Sequence, residues 1–537
     1  MAYLKNIPAT ITNPDGEEFN VFQSGDEFSN YIHDEFDNKI MQGANGYYYL
    51  AQQEGDNIFP SNVKYSKVIT QKIFDVQETE EQYKRRALSM YDVPEIKNDK
   101  GVEGWGKKLL MGFGFSPTTS IHLGTLNNIV IFLRFSDDNN TWNNSLSHYE
   151  NIFNGGRPSV RTYFDEVSYN KVDVVSHMYP KSNNNYILSY QDIHPRSYFQ
   201  PYSSSNTNGY QSYERTQREH DLLKRAIEAI RHEIPTTLAI DENGDGRVDN
   251  VCFIVKGNAG GWGSIIWGHR WALYSHNVLI NGKRVWDFTF QPENQATVHV
   301  LSHELFHVFG APDLYRYSGT GIDPIGDWDL MNSGSGHMGA YMKFKYANAK
   351  WIENIPTITQ TGKYRLNPLT SPTNNVYKID SPNSTSEFFV IEYRKKDIGT
   401  YDSAIPNSGL IIYRINSLVD EGNRNGPPDE VYIYRPNGDL YSNGYINSAN
   451  YTDKAGRITI TDNTKPRAFL SDNTYGGLNI INIKEFDKYI EFDVFINGST
   501  PIEAKNINLD TNPNDIGSVE GEGMYPIGSN ITIKAII

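Results

Sequence analysis

The chain has a single cysteine, Cys252, in 537 residues, so no intrachain disulfide is open to it. This fits a cytoplasmic protein or a disulfide-free exported one, and it excludes a metal ribbon built on four thiolates. Cations are also in short supply. Lys and Arg number 49 against 64 Asp and Glu, a net charge of −15, which argues against non-specific binding to nucleic acid or to an anionic membrane. No apolar run is long enough to span a bilayer. The start, Met1 to Pro8, lacks the apolar core of a signal peptide. The last residues, Ile533 to Ile537, stop inside an alternating strand pattern. The sequence therefore reads as a chain trimmed at both ends.

What is present is length and aromatic surface. A chain of this size is expected to form roughly two to four domains. Aromatic residues make up 13% and there are 36 Tyr, enough to build large cores. The abundance of Asn, Ser and Gly suits a loop-rich extracellular protein.

One stretch organises the rest: Val300-Leu301-Ser302-His303-Glu304-Leu305-Phe306-His307-Val308-Phe309-Gly310-Ala311-Pro312-Asp313. Its pattern is H-E-x-x-H-x-x-G-x-x-D. Four residues apart on a helix, His303 and His307 share one face and can hold one zinc ion through their ring nitrogens. Glu304 can take a proton from a metal-bound water and later return it. Gly310 tolerates a left-handed cap and Pro312 stops the helix, so the turn can carry Asp313 back as a third ligand. A plain core helix would have no use for two histidines, and a buried unpaired Glu304 would be costly to it.

Upstream, Pro14-Asp15-Gly16 is a turn, Gly25 to Ile32 reads as a short amphipathic helix, and Gly46 to Ala51 reads as a strand. A charged helical run, Glu78 to Arg86, is followed by a polar, Lys-rich stretch from Lys97 to Lys108 that resembles an exposed linker. A small unit and linker ahead of a protease motif suggest a propeptide. Asn128 to Phe135 reads as a buried strand, Ser159 to Tyr169 as a helix, Asp173 to Met178 as a strand, 181–212 as a long surface loop, and His220 to Ile234 as a helix.

Asp241, Asn243, Asp245, Arg247 and Asp249 then follow the first part of a calcium loop, with Gly246 at the sharp turn and Arg247 offering its backbone carbonyl. Position 12 of that loop is Cys252, so it is not a full EF-hand. His269, in Ile266-Trp267-Gly268-His269-Arg270, is expected to be hydrogen-bonded in a turn. Beyond the histidine motif, Gly326-Asp327-Trp328-Asp329-Leu330-Met331-Asn332 places Met331 in a tight turn of the kind that floors the histidines in metzincin-type sites. His337 and Tyr341 begin the next helix on one face and are possible cleft residues. From about residue 358 the pattern is strands separated by turns, an antiparallel β unit.

These motifs together resemble the immune inhibitor A family of secreted bacterial zinc metallopeptidases. The resemblance rests on the Asp-rich loop, Ile266 to Arg270, the H-E-x-x-H-x-x-G-x-x-D segment and Trp328 to Met331. Ser159 to Phe164, Glu392-Tyr393-Arg394 and Ser408 to Tyr413 support it, as do Gly25 to Phe28 and Gly46 to Tyr48 in the first unit. It implies an exported zinc endopeptidase acting on protein or peptide substrates and made as a zymogen with its own propeptide as partner. It carries over His303 and His307 as zinc ligands, Glu304 as general base and acid, and Asp313 as third ligand, where most metzincins have His.

The expected fold is multidomain α+β. A propeptide-like α/β unit with its linker occupies 1–112 and a metzincin-like zinc protease domain 113–357. An antiparallel β-sandwich-like domain spans 358–498, and the start of a bacterial β repeat 499–537. The expected cofactors are zinc and calcium, with no transmembrane segment and a secreted location. Two other functions fit less of the pattern: an inactive protease-like surface binding module, against which the intact Glu304 argues, and a zinc hydrolase of a non-peptide bond.

Overall fold

The computed structural model describes residues 4–77 and 122–496, apart from 27–28, 55–56, 212–213, 261–264, 318–320 and 420, together with short stretches between 504 and 536. The expected helix at Glu78 to Arg86 and the linker from Lys97 to Lys108 lie outside the described residues. The chain divides into two compact units, 1–165 with 170–311, and 166–169 with 312–537. The protein is α+β, with several antiparallel sheets and few helices.

The first unit opens with a six-stranded antiparallel meander in which β1 (Leu4–Thr12), β2 (Glu18–Gly25), β3 (Asn30–His33), β4 (Lys39–Gln42), β5 (Tyr48–Glu54) and β6 (Asn57–Lys64) pair in sequence order. Alternation explains it: Phe19, Val21, Ile32, Ile40 and Leu50 point into one small core. The helix expected across Gly25 to Ile32 is therefore corrected to the end of one strand and the start of the next. Asp26 makes the turn instead, its Oδ1 accepting from the Ser29 N–H at 2.8 Å. The described part of this region is β, not α/β. It is anchored within the unit, because Leu4 and Ile7 pack with Ala259, Trp267 and Val300 and the Gln23 amide donates to the Gly260 carbonyl.

The centre of the unit is a mixed sheet. β7 (Gly124–Arg134), β8 (Val172–Tyr179), β10 (Val251–Val255) and β14 (Asp287–Pro292) run parallel, β9 (Tyr190–Gln191) joins β7, and β11 (His269–Ala272) lies antiparallel on the β14 edge. Between β11 and β14, β12 (Leu279–Ile280) and β13 (Lys283–Arg284) form a hairpin. β7 is buried on both faces from Leu126 to Leu133, as a parallel strand with covered faces should be. Helices Leu146–Asn154, Val160–Val167 and Arg215–Ile230 follow, and Leu222, Leu223, Ala226, Ile227 and Ile230 supply the core with the apolar face read from the sequence. The stretch expected to be a long loop, 181–212, holds β9 and a 3₁₀ turn at Arg196–Phe199.

In the second unit, two four-stranded antiparallel sheets share one core. One orders β15 (Gly362–Leu366), β22 (Ile490–Val494), β21 (Asn479–Glu485) and β20 (Ile460–Thr461); the other runs from β16 (Val376–Asp380) through β17 (Glu387–Arg394) and β18 (Gly409–Asn416) to β19 (Val431–Ile433). Leu366, Ile480 and Phe492 from the first meet Phe389, Ile391 and Ile412 from the second, a sandwich packing. Among the described residues, no helix is long and apolar enough to cross a membrane.

Candidate metal centre

The helix Val298–Val308 begins where Thr297 turns its extended backbone into an N-cap, its side chain accepting from the Val300 N–H. It ends at Gly310, whose φ of +103° is a left-handed conformation. Every side chain from Val300 to Val308 is buried, which leaves little room for polar groups without a task. His303, Glu304, His307 and Asp313 are 0%, 0%, 4% and 1% exposed.

The rings of His303 and His307 lie 4.8 Å apart at 83°. Within this continuous stretch, one ligand atom each from His303, His307 and Asp313 lies within 4.8 Å of the others, the one such grouping of three His, Cys or acidic side chains among the described residues. Two imidazole nitrogens and a carboxylate oxygen are a donor set that suits zinc. The turn after Gly310 does a second job. It brings the Ala311 carbonyl to 2.7 Å from His307 Nδ1, so Nδ1 carries the proton and Nε2 is left for a cation.

Asp313 is held by groups that the sequence did not point to. Its Oδ2 accepts from the Tyr317 hydroxyl at 2.5 Å, and its carbonyl accepts from the Asn423 N–H at 3.0 Å. The Asn423 side chain donates to the Leu314 carbonyl at 2.8 Å. Gly422 sits against the same carbonyl of Asp313, and a Cβ there would lie 2.1 Å from that oxygen. Met331 is fully buried. Its N–H donates to Asp329 Oδ1 and its carbonyl accepts from the Leu314 N–H at 2.7 Å, so the Met331 turn braces the residue that follows Asp313. Burial raises the Asp329 carboxyl to about 7.

The other candidates fall in different settings. His337 precedes the helix Ala340–Lys345 rather than starting it. It is fully buried, with Nε2 2.6 Å from Glu166 and Nδ1 2.8 Å from the Lys343 amine. Burial lowers the pKa of His337, and pushes Lys343 down to about 7. The Tyr341 hydroxyl donates to Glu430 at 2.9 Å, and Glu430 in turn accepts from the Gly422 N–H at 2.7 Å. His269 lies in β11, not in a turn. Its Nδ1 is 2.7 Å from the Trp267 carbonyl and its Nε2 2.6 Å from Glu219. Next to it Arg270 pairs with Asp287. Burial lowers this guanidinium to about 10, and the negative charge of Glu304 opposes that shift. His299, unremarked in the sequence, continues the i, i+4 row, its ring 6.5 Å from that of His303.

In the 241–249 loop, Asp241 Oδ2 accepts from the Gly246 N–H and from Lys283, Asn243 Oδ1 from the Asp245 N–H, and Asp245 Oδ1 from the Arg247 N–H. Asp249 Oδ2 accepts from the Glu242 N–H. Oδ1 of Asp241 and Oδ1 of Asp249 are buried without a hydrogen-bond partner among the described residues. Burial, with Asp241, Glu242 and Asp245 adding to it, raises the Asp249 carboxyl to about 7.

The segment that carries these groups is similar to a metallopeptidase catalytic domain. Residues 240–350 match the family described as immune inhibitor A peptidase M6, catalytic domain, which is the family the sequence resembles. That family is zinc-dependent and acts on protein or peptide substrates. No match was found among curated proteins. Solved structures similar to parts of the chain include wild-type OgpA from Akkermansia muciniphila, at 9% identity over 59% of this chain and 82% of that one, with a TM-score of 0.23. Another is the catalytically inactive OgpA in complex with an O-glycopeptide (glycodrosocin) substrate, at 8% identity over 56% and 85%, with a TM-score of 0.22. Both scores are below the level of a shared overall fold.

Proposed function

We propose that the protein is a secreted zinc-dependent endopeptidase made as a zymogen, with a metzincin-like catalytic domain at 113–357. The convergence of His303, His307 and Asp313 around one point, with Glu304 next to the first ligand, carries this reading. Zinc bound there would polarise a scissile carbonyl and acidify a bound water. Glu304, fully buried beside His303, takes the proton from the attacking water and delivers it to the leaving nitrogen. His307 keeps its orientation through the Ala311 carbonyl, and Asp313 through Tyr317 and Asn423. Residues 1–112 act as the propeptide, 358–498 as a supporting sandwich, and 499–537 as the start of a β repeat. Met331 floors the histidines, His337 and Tyr341 stand by the cleft, and calcium binds at Asp241, Asn243, Asp245, Arg247 and Asp249, supported by the two unpartnered buried acid oxygens.

Cleavage of casein or a peptide library, measured with and without a chelator and after zinc is restored, tests the proposal. Glu304→Gln is expected to keep bound zinc and lower turnover at least about 100-fold. Chelator-insensitive cleavage, or a Glu304→Gln variant as active as the native chain, would overturn it.

A further inference from the structure

We infer that Tyr317 is a positioning residue for the metal centre: it sets the direction of the Asp313 carboxylate and so governs how tightly the ion is kept. This rests on the reading of Asp313 as third ligand. The phenol donates to Asp313 Oδ2 at 2.5 Å, the short end of the range for a hydroxyl meeting an oxygen acceptor. Asp313 is 1% exposed and Tyr317 9%, so little water competes for the bond and the phenol decides which way Oδ2 faces.

The hydroxyl is placed by its neighbours. The Tyr317 N–H donates to the Arg424 carbonyl at 3.0 Å. The Arg316 guanidinium grips both oxygens of Asp429 at 2.7 Å. The Asp313 carbonyl is fixed separately by Asn423. Backbone and side chain of the ligand thus have separate contacts: the 422–423 segment fixes where the residue lies, and Tyr317, itself held by the Arg424 carbonyl, fixes how its carboxylate turns. The lone pair of Oδ2 engaged by the phenol is not available to a cation, which favours a single-oxygen contact. Groups that bond to a ligating carboxylate from behind change metal affinity by about 10–100-fold when removed.

The test uses the full chain as wild type, Tyr317→Phe and Asp313→Asn. Zinc affinity is measured by competition with a chromogenic chelator, and the stability of each metal-free form by thermal unfolding in EDTA. Tyr317→Phe is expected to weaken zinc binding about 10–100-fold and to leave the metal-free unfolding midpoint unchanged; Asp313→Asn is expected to weaken it further. Wild-type zinc affinity in Tyr317→Phe, with Asp313→Asn impaired, overturns the role of Tyr317 alone. Wild-type affinity in Asp313→Asn overturns the third-ligand reading beneath it. A fall in the metal-free midpoint of Tyr317→Phe makes the bond a structural tie and overturns the inference.

Discussion

Asp249 shows what one residue can report. Its carboxyl is raised to about 7, by burial first and then by its acidic neighbours. In the unfolded chain it would titrate near 3.8. Between these values the folded state holds a proton that the unfolded state has released, so this residue's contribution to stability falls as pH rises from about 4 to 7. A cation at the loop would offset the charge and flatten that slope. Thermal unfolding of the native chain and of Asp249→Asn, followed from pH 4 to 7.5, is therefore expected to diverge as pH rises, with the native chain the less stable. Millimolar calcium should close the gap by stabilising only the native chain. Parallel curves at all pH values, or no calcium effect, would remove the loop from the list of cation sites.

At the level of elements, the short segment around Gly422 does what the histidine helix cannot do alone. Gly422 has φ of +67°, and a Cβ there would lie 2.1 Å from the Asp313 carbonyl and 2.9 Å from Pro312. Gly422→Ala is expected to cost roughly 2–5 kcal/mol, from left-handed strain together with overpacking, and to lower zinc affinity in step. Gly399, at φ of +91° with open space around it, is the control: Gly399→Ala should cost only the strain, about 1–2 kcal/mol, and leave the metal untouched. Calorimetric unfolding with chelator competition separates the two. Elements of this kind were hard to read from the sequence. The helix at Val298–Val308 was legible because its two histidines, four apart, and its Gly-x-Pro stop lie close together in the chain. The strands of the sandwich were legible because each carries its own run of β-branched and aromatic residues. The strand Asn30–His33 was missed because a turn acid followed by aromatic residues mimics a helix start. The pairing of His269 with Glu219 depends on a partner 50 positions away, and nothing local announces it.

For the whole molecule, the useful contrast is between what the cores include and what they leave out. The sandwich core runs from Ile358 to Val494, with Ile496 packed at its margin, and the last described strands pair only with one another. A chain ended after residue 498 is expected to keep its peptidase activity and its unfolding midpoint; loss of either, measured on casein and by calorimetry, would show that 499–537 supports the catalytic fold. The centre itself has a different dependence on length. Asn423 reaches back 109 positions to the Leu314 carbonyl, and Gly422 covers Asp313 from the same distant stretch. During synthesis the histidines and Glu304 leave the ribosome first, and the clasp over Asp313 arrives more than a hundred residues later. The support of Asp313 is thus complete only once residue 423 has been made, and a shorter nascent chain carries His303, Glu304 and His307 without it.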